Sequence, residues 1–316
     1  MNLVRLRIMP LGAWVTPWHA DTLTGLLAST FARAHGGERL KRDLLDPWQA
    51  GEPPFVLSDA FPGDLLPAPA CLSLWPWRPE EKRKQVKRTE WLEPHQFQQV
   101  QEGQQPALAP AIAKLAVEDI RLRNTLDRIA DRPGAPGSLY EVPSTALGHD
   151  ASHLSVYARL ATGGDSLLRE LLALLAEAGF GADASVGQGR FEWDGSFNDA
   201  SRLTEVKAAN GWISLSTFQP APTDPTDGYW RSFVKSGKLG PDFGVDGVFK
   251  RPQWMLRPGS CFREQGAARE WYGRLIGTDE LLPEGTRKAL AVTGIRPVQP
   301  AYALAVPMKW AKEYEA

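Results

Sequence analysis

Residues 179–191, GFGADASVGQGRF, combine bare backbone with a single cation, Arg190. Glycine allows the main chain to adopt positive φ and to approach a ligand closely. Backbone N–H groups and a guanidinium together are suited to holding an anion such as a phosphate. The sequence therefore predicts a candidate anion-binding loop, whose glycines are Gly179, Gly181, Gly187 and Gly189.

The order of the flanking elements excludes the common nucleotide loops. The leucine-rich stretch 166–178 predicts a helix with Ser166 as its N-cap, and residues 190–193 alternate like a strand. A dinucleotide fingerprint has the opposite order, and a Walker loop ends in Gly-Lys-Ser/Thr. The helix also turns its negative end towards the loop, so its dipole does not attract phosphate. A flexible helix-to-strand connection without any ligand explains the same residues.

His19 lies at the start of a helix predicted over 21–34, where the apolar residues recur at helical spacing. A histidine there can contact RNA or act as a general base on a 2′-hydroxyl, because its pKa lies near working pH. It can equally be a cap or a packed ring. No companion triad or paired acid is visible nearby, so we favour an RNA contact over catalysis, and no catalytic residue is assigned.

Two further charged motifs have simple structural alternatives. In RNTLDR (123–128), helical spacing would pair Arg123 with Asp127, either as a solvated salt bridge or as part of a phosphate site. The stretch 149–153 spells H-D-x-x-H, but metal ligation at that spacing needs a helix. It follows a Pro/Gly-rich loop, so a surface loop is favoured, and we expect neither metal nor cofactor.

Charge and cysteine content limit the class of protein. The 316 residues carry a net charge of −1, so only local patches can attract a polyanion. Basic residues concentrate in KRKQVKR (82–88) and between Arg231 and Arg263. Two cysteines exclude a disulfide framework and a cysteine-based zinc site. No signal peptide or membrane-spanning run is present, which predicts a cytoplasmic protein without a membrane partner.

The periodicity predicts an α+β fold with two sheet-based domains. Residues 3–9 alternate like a half-buried strand, and residues 78–118 interrupt the first domain with a charged, glutamine-rich insertion. Residues 1–195 follow a split βαβ pattern, and 194–209 form a linker. A second, β-rich domain is predicted over 210–316, with strands within GWISLSTF, WMLRPGSCF, WYGRLIG and AYALAVPM.

Five segments, taken in order, resemble the RAMP superfamily of CRISPR-associated proteins. They are HADTLTGLL (19–27), LSDAFPGDLLPAP (57–69), RNTLDR (123–128) followed by SLYEV, the glycine-rich loop, and KRPQWMLRPGSCF (250–262). More specifically, the sequence resembles the Csm-type subunit that caps the 5′ handle of the guide RNA (crRNA) in type III effector complexes. It departs from the family at Ala182, Asp183 and Ala184, where lysine or arginine is common.

The resemblance implies two ferredoxin-like (RRM-like) RAMP domains, the second reduced, and a non-catalytic, RNA-binding role in antiviral defence. The expected partners are the crRNA, a large polymerase-like subunit, a backbone RAMP subunit, and target RNA near an inserted thumb-like hairpin. The residues expected at RNA are His19, Arg123, Asp127, Arg128, Gly179, Gly181, Gly187, Gly189, Arg190, Lys250 and Arg251. The thumb residues would be Lys87, Arg88 and an apolar tip, Trp91-Leu92. The alternative is a metal-independent endoribonuclease that processes precursor crRNA with His19 as its base.

Overall fold

The fold was determined as a computed structural model, which describes residues 1–77, 80–108, 115–124, 126–127, 132–133, 139–245, 248–264, 266 and 268–315. The helices are α1 (Ala20–His35), α2 (Gly37–Leu40), α3 (Asp46–Ala50), α4 (Glu80–Arg88), α5 (Pro94–Gln101), α6 (Gly164–Ala178), α7 (Thr278–Leu281) and α8 (Glu284–Ala291). The strands of the first half are β1 (Asn2–Pro10), β2 (Phe55–Leu57), β3 (Phe61–Pro62), β4 (Leu66–Pro67), β5 (Trp91–Leu92), β6 (Ala116–Asn124), β7 (Leu126–Asp127), β8 (Arg132–Pro133), β9 (Leu139–Leu147) and β10 (Leu154–Leu160). Those of the second half are β11 (Phe191–Trp193), β12 (Asn198–Asp199), β13 (Gly211–Ser214), β14 (Gly228–Tyr229), β15 (Ser232–Lys235), β16 (Gln253–Leu256), β17 (Cys261–Arg263), β18 (Trp271–Ile276) and β19 (Gln299–Met308).

The first sheet is antiparallel and has the strand order β11–β1–β10–β2, with β12 paired to β1 and β3 paired to β10. The predicted strand at 3–9 and the helix at 21–34 are confirmed by β1 and α1. Leu23, Leu27 and Phe31 lie on one face of α1 and are fully buried against the sheet. The helix predicted over 166–178 is confirmed as α6. Its N-cap is Gly163, however, and Ser166 Oγ donates back to the Gly163 carbonyl, so the predicted Ser166 cap is wrong.

The insertion in the first half is helical where a hairpin was expected. Residues 80–101 form α4, the short strand β5 and α5, and a capping box between Glu93 and Gln96 begins α5. The exposed hairpin of this region lies further along the chain, where β6 pairs with β9 from Ala116↔Leu147 to Asn124↔Leu139. The predicted insertion at 78–118 therefore ends inside the first strand of that hairpin.

The second half forms a five-stranded antiparallel sheet, ordered β14–β17–β13–β19–β18, beside a two-stranded ribbon of β15 and β16. All four predicted strand segments contain observed strands. The predicted linker, 194–209, is partly structured, because its strand β12 pairs with β1 and extends the first sheet. No helix within the described ranges is long and apolar enough to cross a bilayer.

The two sheets share one hydrophobic core, which joins Leu6 and Val156 of the first sheet to Leu304 and Val306 of the second. Cys71 and Cys261 meet in this core as free thiols, and burial raises the pKa of Cys71 well above its ordinary value.

A buried carboxylate connects the two halves at the edge of this core. Asp59 is 5% exposed, and its Oδ1 accepts hydrogen bonds from the backbone N–H of Ala20 at 2.8 Å and of Thr217 at 2.7 Å. Its Oδ2 accepts the Thr217 hydroxyl at 2.7 Å. Next to it, Ser216 Oγ donates to the Leu57 carbonyl and accepts from the backbone N–H of Leu304. Asp59 thus anchors the start of α1 to the second half of the chain.

We predict that Asp59→Ala lowers the free energy of unfolding by about 2–5 kcal/mol, because it leaves buried donors of Ala20 and Thr217 without an acceptor. Asp59→Asn keeps one acceptor oxygen and should cost less. Urea denaturation followed by tryptophan fluorescence measures both variants. Asp64→Ala is the control, since the Asp64 side chain is 47% exposed and its ion pairs contribute about 1 kcal/mol or less. Equal stability of the Asp59→Ala and Asp64→Ala variants would contradict the anchoring role.

Candidate nucleic-acid interface

A cleft of about 1110 Å³ opens where the β1–α1 connection, the helical insertion and the second half of the chain meet. Its lining includes His19 from the first region, Arg88 and Trp91 from the second, and Arg231 and Arg257 from the third. Aromatic and cationic groups therefore face one groove, a combination that suits a single-stranded nucleic acid.

His19 precedes α1, and its ring contacts the side chain of Lys235. Lys235 Nζ lies 3.3 Å from His19 Nδ1, 2.6 Å from Asp21 Oδ1 and 2.7 Å from Thr22 Oγ1. Because an ammonium only donates, Nδ1 is the acceptor and the ring proton resides on Nε2. Burial is the main reason that the pKa of His19 lies below its ordinary value. The negative charges of Asp59 and Asp21 raise this pKa, and the positive charge of Lys235 lowers it. His19 is thus a neutral hydrogen-bonding group of the cleft.

Lys250 points into the protein and not towards solvent. Its Nζ donates to Gln299 Oε1 at 2.9 Å, and Gln299 Nε2 donates to Asp21 Oδ2 at 2.9 Å. Burial lowers the pKa of Lys250. The two residues of the expected Lys250–Arg251 contact pair therefore differ. Lys250 is hydrogen-bonded inside the protein near His19, whereas Arg251 is exposed. The sequence could not show this, since the partner Gln299 lies 49 positions away.

Arg231 and Arg257 are the cations that the sequence interpretation did not single out. Arg231 precedes β15 and Arg257 follows β16, and the Arg257 N–H donates to the Arg231 carbonyl at 2.9 Å. The Arg257 guanidinium lies over the Phe233 ring, 4.5 Å from its centroid. Both side chains are exposed, and neither forms an ion pair with any described residue. The only signal in the sequence was the basic run between Arg231 and Arg263.

The glycine-rich loop connects α6 to β11, and its glycines serve close packing. All four predicted glycines have positive φ. A Cβ on Gly189 would lie 1.9 Å from the Phe180 carbonyl oxygen, and one on Gly181 would lie 2.6 Å from Thr16 Oγ1. The main chain of the loop therefore passes itself and the β1–α1 connection too closely for any side chain at these two positions.

The loop uses many of its amides inside the protein. Phe180 N–H donates to Gly189 O, Ala182 N–H to Thr16 Oγ1, and Gly189 N–H to Ala13 O. The N–H groups of 186–188 also close turns within the loop. A phosphate can therefore be met only by the remaining amides and by Arg190, whose side chain is exposed.

The packing of the loop also fixes the residue before His19. The Phe180 ring stacks on the Trp18 ring with 3.6 Å between centroids and 7° between planes, and Phe191 meets Trp18 edge-on. Trp18 is 5% exposed. The glycine-rich loop thus fixes the position of Trp18, which lines the cleft next to His19.

Arg123 lies in strand β6 and pairs with the glycine-rich loop. Its Nη1 is 2.9 Å from Asp183 Oδ2, and because Arg123 lies in a strand, it does not have the helical spacing that would pair it with Asp127. The alternating charge of RNTLDR does not distinguish a helix from a strand, and in a strand neighbouring side chains point to opposite faces. Asp127 lies in the short strand β7, while its side chain and the whole of Arg128 lie outside the described residues.

The expected thumb residues are folded onto the body of the protein. Lys87 and Arg88 are exposed on α4, but Trp91 and Leu92 form β5, which pairs with β4. Leu92 is fully buried, and the half-buried Trp91 ring lies 5.8 Å from that of Phe61. The predicted apolar tip is therefore wrong, because burial of these side chains stabilises β5 as part of the cleft wall.

The H-D-x-x-H stretch behaves as a surface turn. Residues 149–150 form a turn, and His153 Nε2 lies 3.1 Å from Asp64 Oδ1. No group of three or more His, Cys, Asp or Glu side chains able to hold a metal ion occurs among the described residues. The motif therefore adds a surface ion pair to the first domain.

We predict that Gly189→Ala destabilises the protein by about 2 kcal/mol more than Gly187→Ala. Both positions have positive φ, but a Cβ at Gly187 meets nothing within 4 Å, whereas one at Gly189 meets Phe180. Urea denaturation of the two variants isolates the close approach from the backbone strain that they share. Equal losses would show that the approach to Phe180 is unimportant.

We also predict a pH dependence that originates at His19. A pKa lowered in the folded state means that the unfolded state binds the proton more readily, so stability falls as pH drops below about 6.5. His19→Gln should remove this component and leave a flatter profile between pH 7 and 5. Denaturation of both proteins across this range measures it, and parallel profiles would contradict the buried, neutral histidine.

Known proteins resemble this chain in structure but not in sequence. No family model and no curated protein sequence matches it. A chain in the crystal structure of the Csm1–Csm4 cassette in complex with pppApA superposes with a TM-score of 0.65 at 16% identity, covering 99% of this chain and all of the other. The same cassette in complex with cA4 superposes with a TM-score of 0.64 at 15% identity and the same coverage.

A third similar structure is the Csm3–Csm4 subcomplex of the type III-A CRISPR-Cas interference complex. Its TM-score is 0.56 at 13% identity, covering 98% of this chain and all of the other. Csm4 is the component that the names of these assemblies share. The full-length superpositions show that this chain shares its mixed α/β, antiparallel-sheet fold with these structures.

Proposed function

We propose that this protein is a non-catalytic, RNA-binding subunit of a type III CRISPR–Cas effector complex and holds the 5′ handle of the crRNA. The observation that carries the proposal is the cleft, which presents Arg231 and Arg257, neither in an ion pair with a described residue, next to the neutral His19. The Csm4-like fold supports the same role, which operates in antiviral defence in the cytoplasm.

In this proposal the first sheet is a ferredoxin-like RAMP domain. Its elements follow the order β1, α1, β2, β10, α6, β11, a βαββαβ pattern whose second and third strands are separated by the insertion. The second sheet is a reduced domain of the same kind. The boundaries 1–195 and 210–316 describe the two domains, with β12 as a strand from the connection that joins the first sheet.

The cleft provides three kinds of contact to a single strand. The Arg231 and Arg257 guanidinium groups fit phosphate oxygens, and no acidic side chain in the described part of the chain neutralises their charge. The neutral His19 ring offers its Nε2–H to a base edge or a 2′-hydroxyl. The half-buried Trp91 ring lies in the same lining and offers an aromatic surface for a splayed base.

The glycine-rich loop acts at the edge of this path. We assign Arg190, Arg251 and the remaining loop amides to outer phosphates, with the four glycines shaping the backbone. Arg123 approaches the same edge, although Asp183 neutralises part of its charge. We keep Asp127 and Arg128 as proposed RNA contacts, and propose that the β6–β9 hairpin takes the role of the thumb near target RNA, with Arg88 in the cleft lining and Lys87 exposed on the same helix.

Other subunits complete the particle. We propose that the chain bridges a large polymerase-like subunit and a backbone RAMP subunit, because Csm1 and Csm3 are named beside Csm4 in the similar structures. The net charge of −1 fits a subunit whose RNA contacts are confined to one cleft and whose remaining faces meet proteins.

We predict that the double variant Arg231→Glu/Arg257→Glu retains much less crRNA in purified particles and weakens RNA binding by the isolated chain. Each lost phosphate contact should reduce the slope of log affinity against log salt by about 1. Filter binding across a salt series and sequencing of the retained RNA measure these effects. Lys288→Glu is the control, because Lys288 is exposed on α8 and pairs with Glu284. Unchanged RNA content in the double variant would overturn the cleft assignment.

We also expect no cleavage of a CRISPR repeat RNA in metal-free buffer. In the folded protein His19 is paired with Lys235, and both nearby carboxylates, Asp21 and Asp59, accept hydrogen bonds from protein groups. Denaturing gels after incubation at pH 7 provide the readout. Cleavage that His19→Ala abolishes would instead establish the endoribonuclease alternative.

A further inference from the structure

The β6–β9 hairpin has two chemically different faces. Successive side chains of a strand point to opposite faces, and directly paired residues share a face. One face carries Arg121, Arg123 and Tyr140 and lies towards the glycine-rich loop. Arg123 pairs with Asp183 there, and the Gln188 amide bridges Arg121 and the Ala13 carbonyl at 2.8 Å each. The opposite face, here called the outer face, carries Glu118, Ile120, Leu122, Leu139, Glu141 and Pro143, and at its base Ala116, Thr145 and Leu147, which line the cleft.

The outer face is apolar and uncovered. Ile120, Leu122 and Leu139 are 60%, 63% and 59% exposed. In the ladder Ile120 is opposite Pro143 and Leu122 is opposite Glu141, so the apolar side chains form one continuous strip. A contiguous apolar strip of this kind is typical of an interaction surface.

The hairpin also has little support of its own. An isolated two-stranded hairpin is marginally stable in water and gains stability when another element packs on its face. The contacts that hold this hairpin lie on the loop side and at its base, where Trp14 and Thr145 exchange backbone hydrogen bonds. A partner on the outer face would therefore stabilise the hairpin as well as cover its apolar side chains.

The charges on the outer face disfavour nucleic acid as this partner. Its charged side chains are Glu118 and Glu141, both exposed and without an ion pair among the described residues. Carboxylates repel phosphates, and the arginines of the hairpin lie on the other face. A second copy of this chain is also disfavoured, because a two-fold contact between outer faces would place like charges together.

We propose that the outer face docks a different protein, one that presents an apolar strip flanked by lysine or arginine. The inference rests on the proposed function, since the partner is another protein subunit of the same ribonucleoprotein. Apolar burial supplies the affinity, and the two glutamates select the partner by complementary charge.

Site-specific photo-cross-linking in the assembled particle tests this inference. p-Benzoylphenylalanine at Leu122 places the probe on the outer face, and the same probe at Asp119, whose side chain is 65% exposed, places it on the opposite face of the same strand. Irradiation should join position 122 to one specific protein subunit, identified by mass spectrometry, at least about tenfold more efficiently than position 119. An adduct with RNA, an adduct with a second copy of this chain, or no adduct at 122 would each overturn the inference.

The crRNA content of the same preparation separates this inference from the proposed function. A particle that contains crRNA but gives no protein adduct at 122 contradicts the docking surface alone, whereas a particle without crRNA contradicts the RNA-binding role. A second variant tests charge selection. Glu118→Lys/Glu141→Lys should lower incorporation into the particle at low salt by about tenfold, and the exposed Glu177→Lys on α6 is the matched control. Equal incorporation of both variants would contradict selection by charge.

Discussion

The arrangement of the cleft depends on one buried carboxylate. Asp59 follows β2 and accepts hydrogen bonds from the first residue of α1 and from Thr217 of the second half. His19 directly precedes the helix that this carboxylate anchors, and the second half contributes Arg231 and Arg257 to the same lining. The mutual position of the histidine and the arginines therefore depends on the buried hydrogen bonds of Asp59.

Local patterns in the sequence were sufficient for the elements that build the body of the protein. Alternation predicted β1 and the strands of the second sheet, and helical spacing predicted α1 and α6. Each of these elements buries one face, so apolar residues recur at regular intervals within its own segment. The charged segments have no such regular spacing of apolar residues. Arg123 and Lys250 each end on a partner far along the chain, Asp183 and Gln299, so their roles depend on tertiary contacts.

The glycine-rich loop illustrates the same limit. Its composition indicated free backbone amides for an anion, yet several amides are used internally and two glycines are required by close contacts with Thr16 and Phe180. The loop positions Trp18, and through it the entrance of the cleft. A glycine-rich sequence indicates that the main chain passes close to a neighbouring group. Whether the neighbour is a ligand or the protein itself is decided by the fold.

The net charge of −1 follows from surfaces of opposite sign on a single chain. Lys235 and Lys250 are directed inward around Asp21, so they add positive potential below the cleft without being its contact groups. Arg231 and Arg257 remain exposed, whereas the outer face of the hairpin carries Glu118 and Glu141. Strand alternation places Arg121 and Arg123 on one face of the hairpin and Glu118 and Glu141 on the other, so the two faces of one hairpin differ in charge.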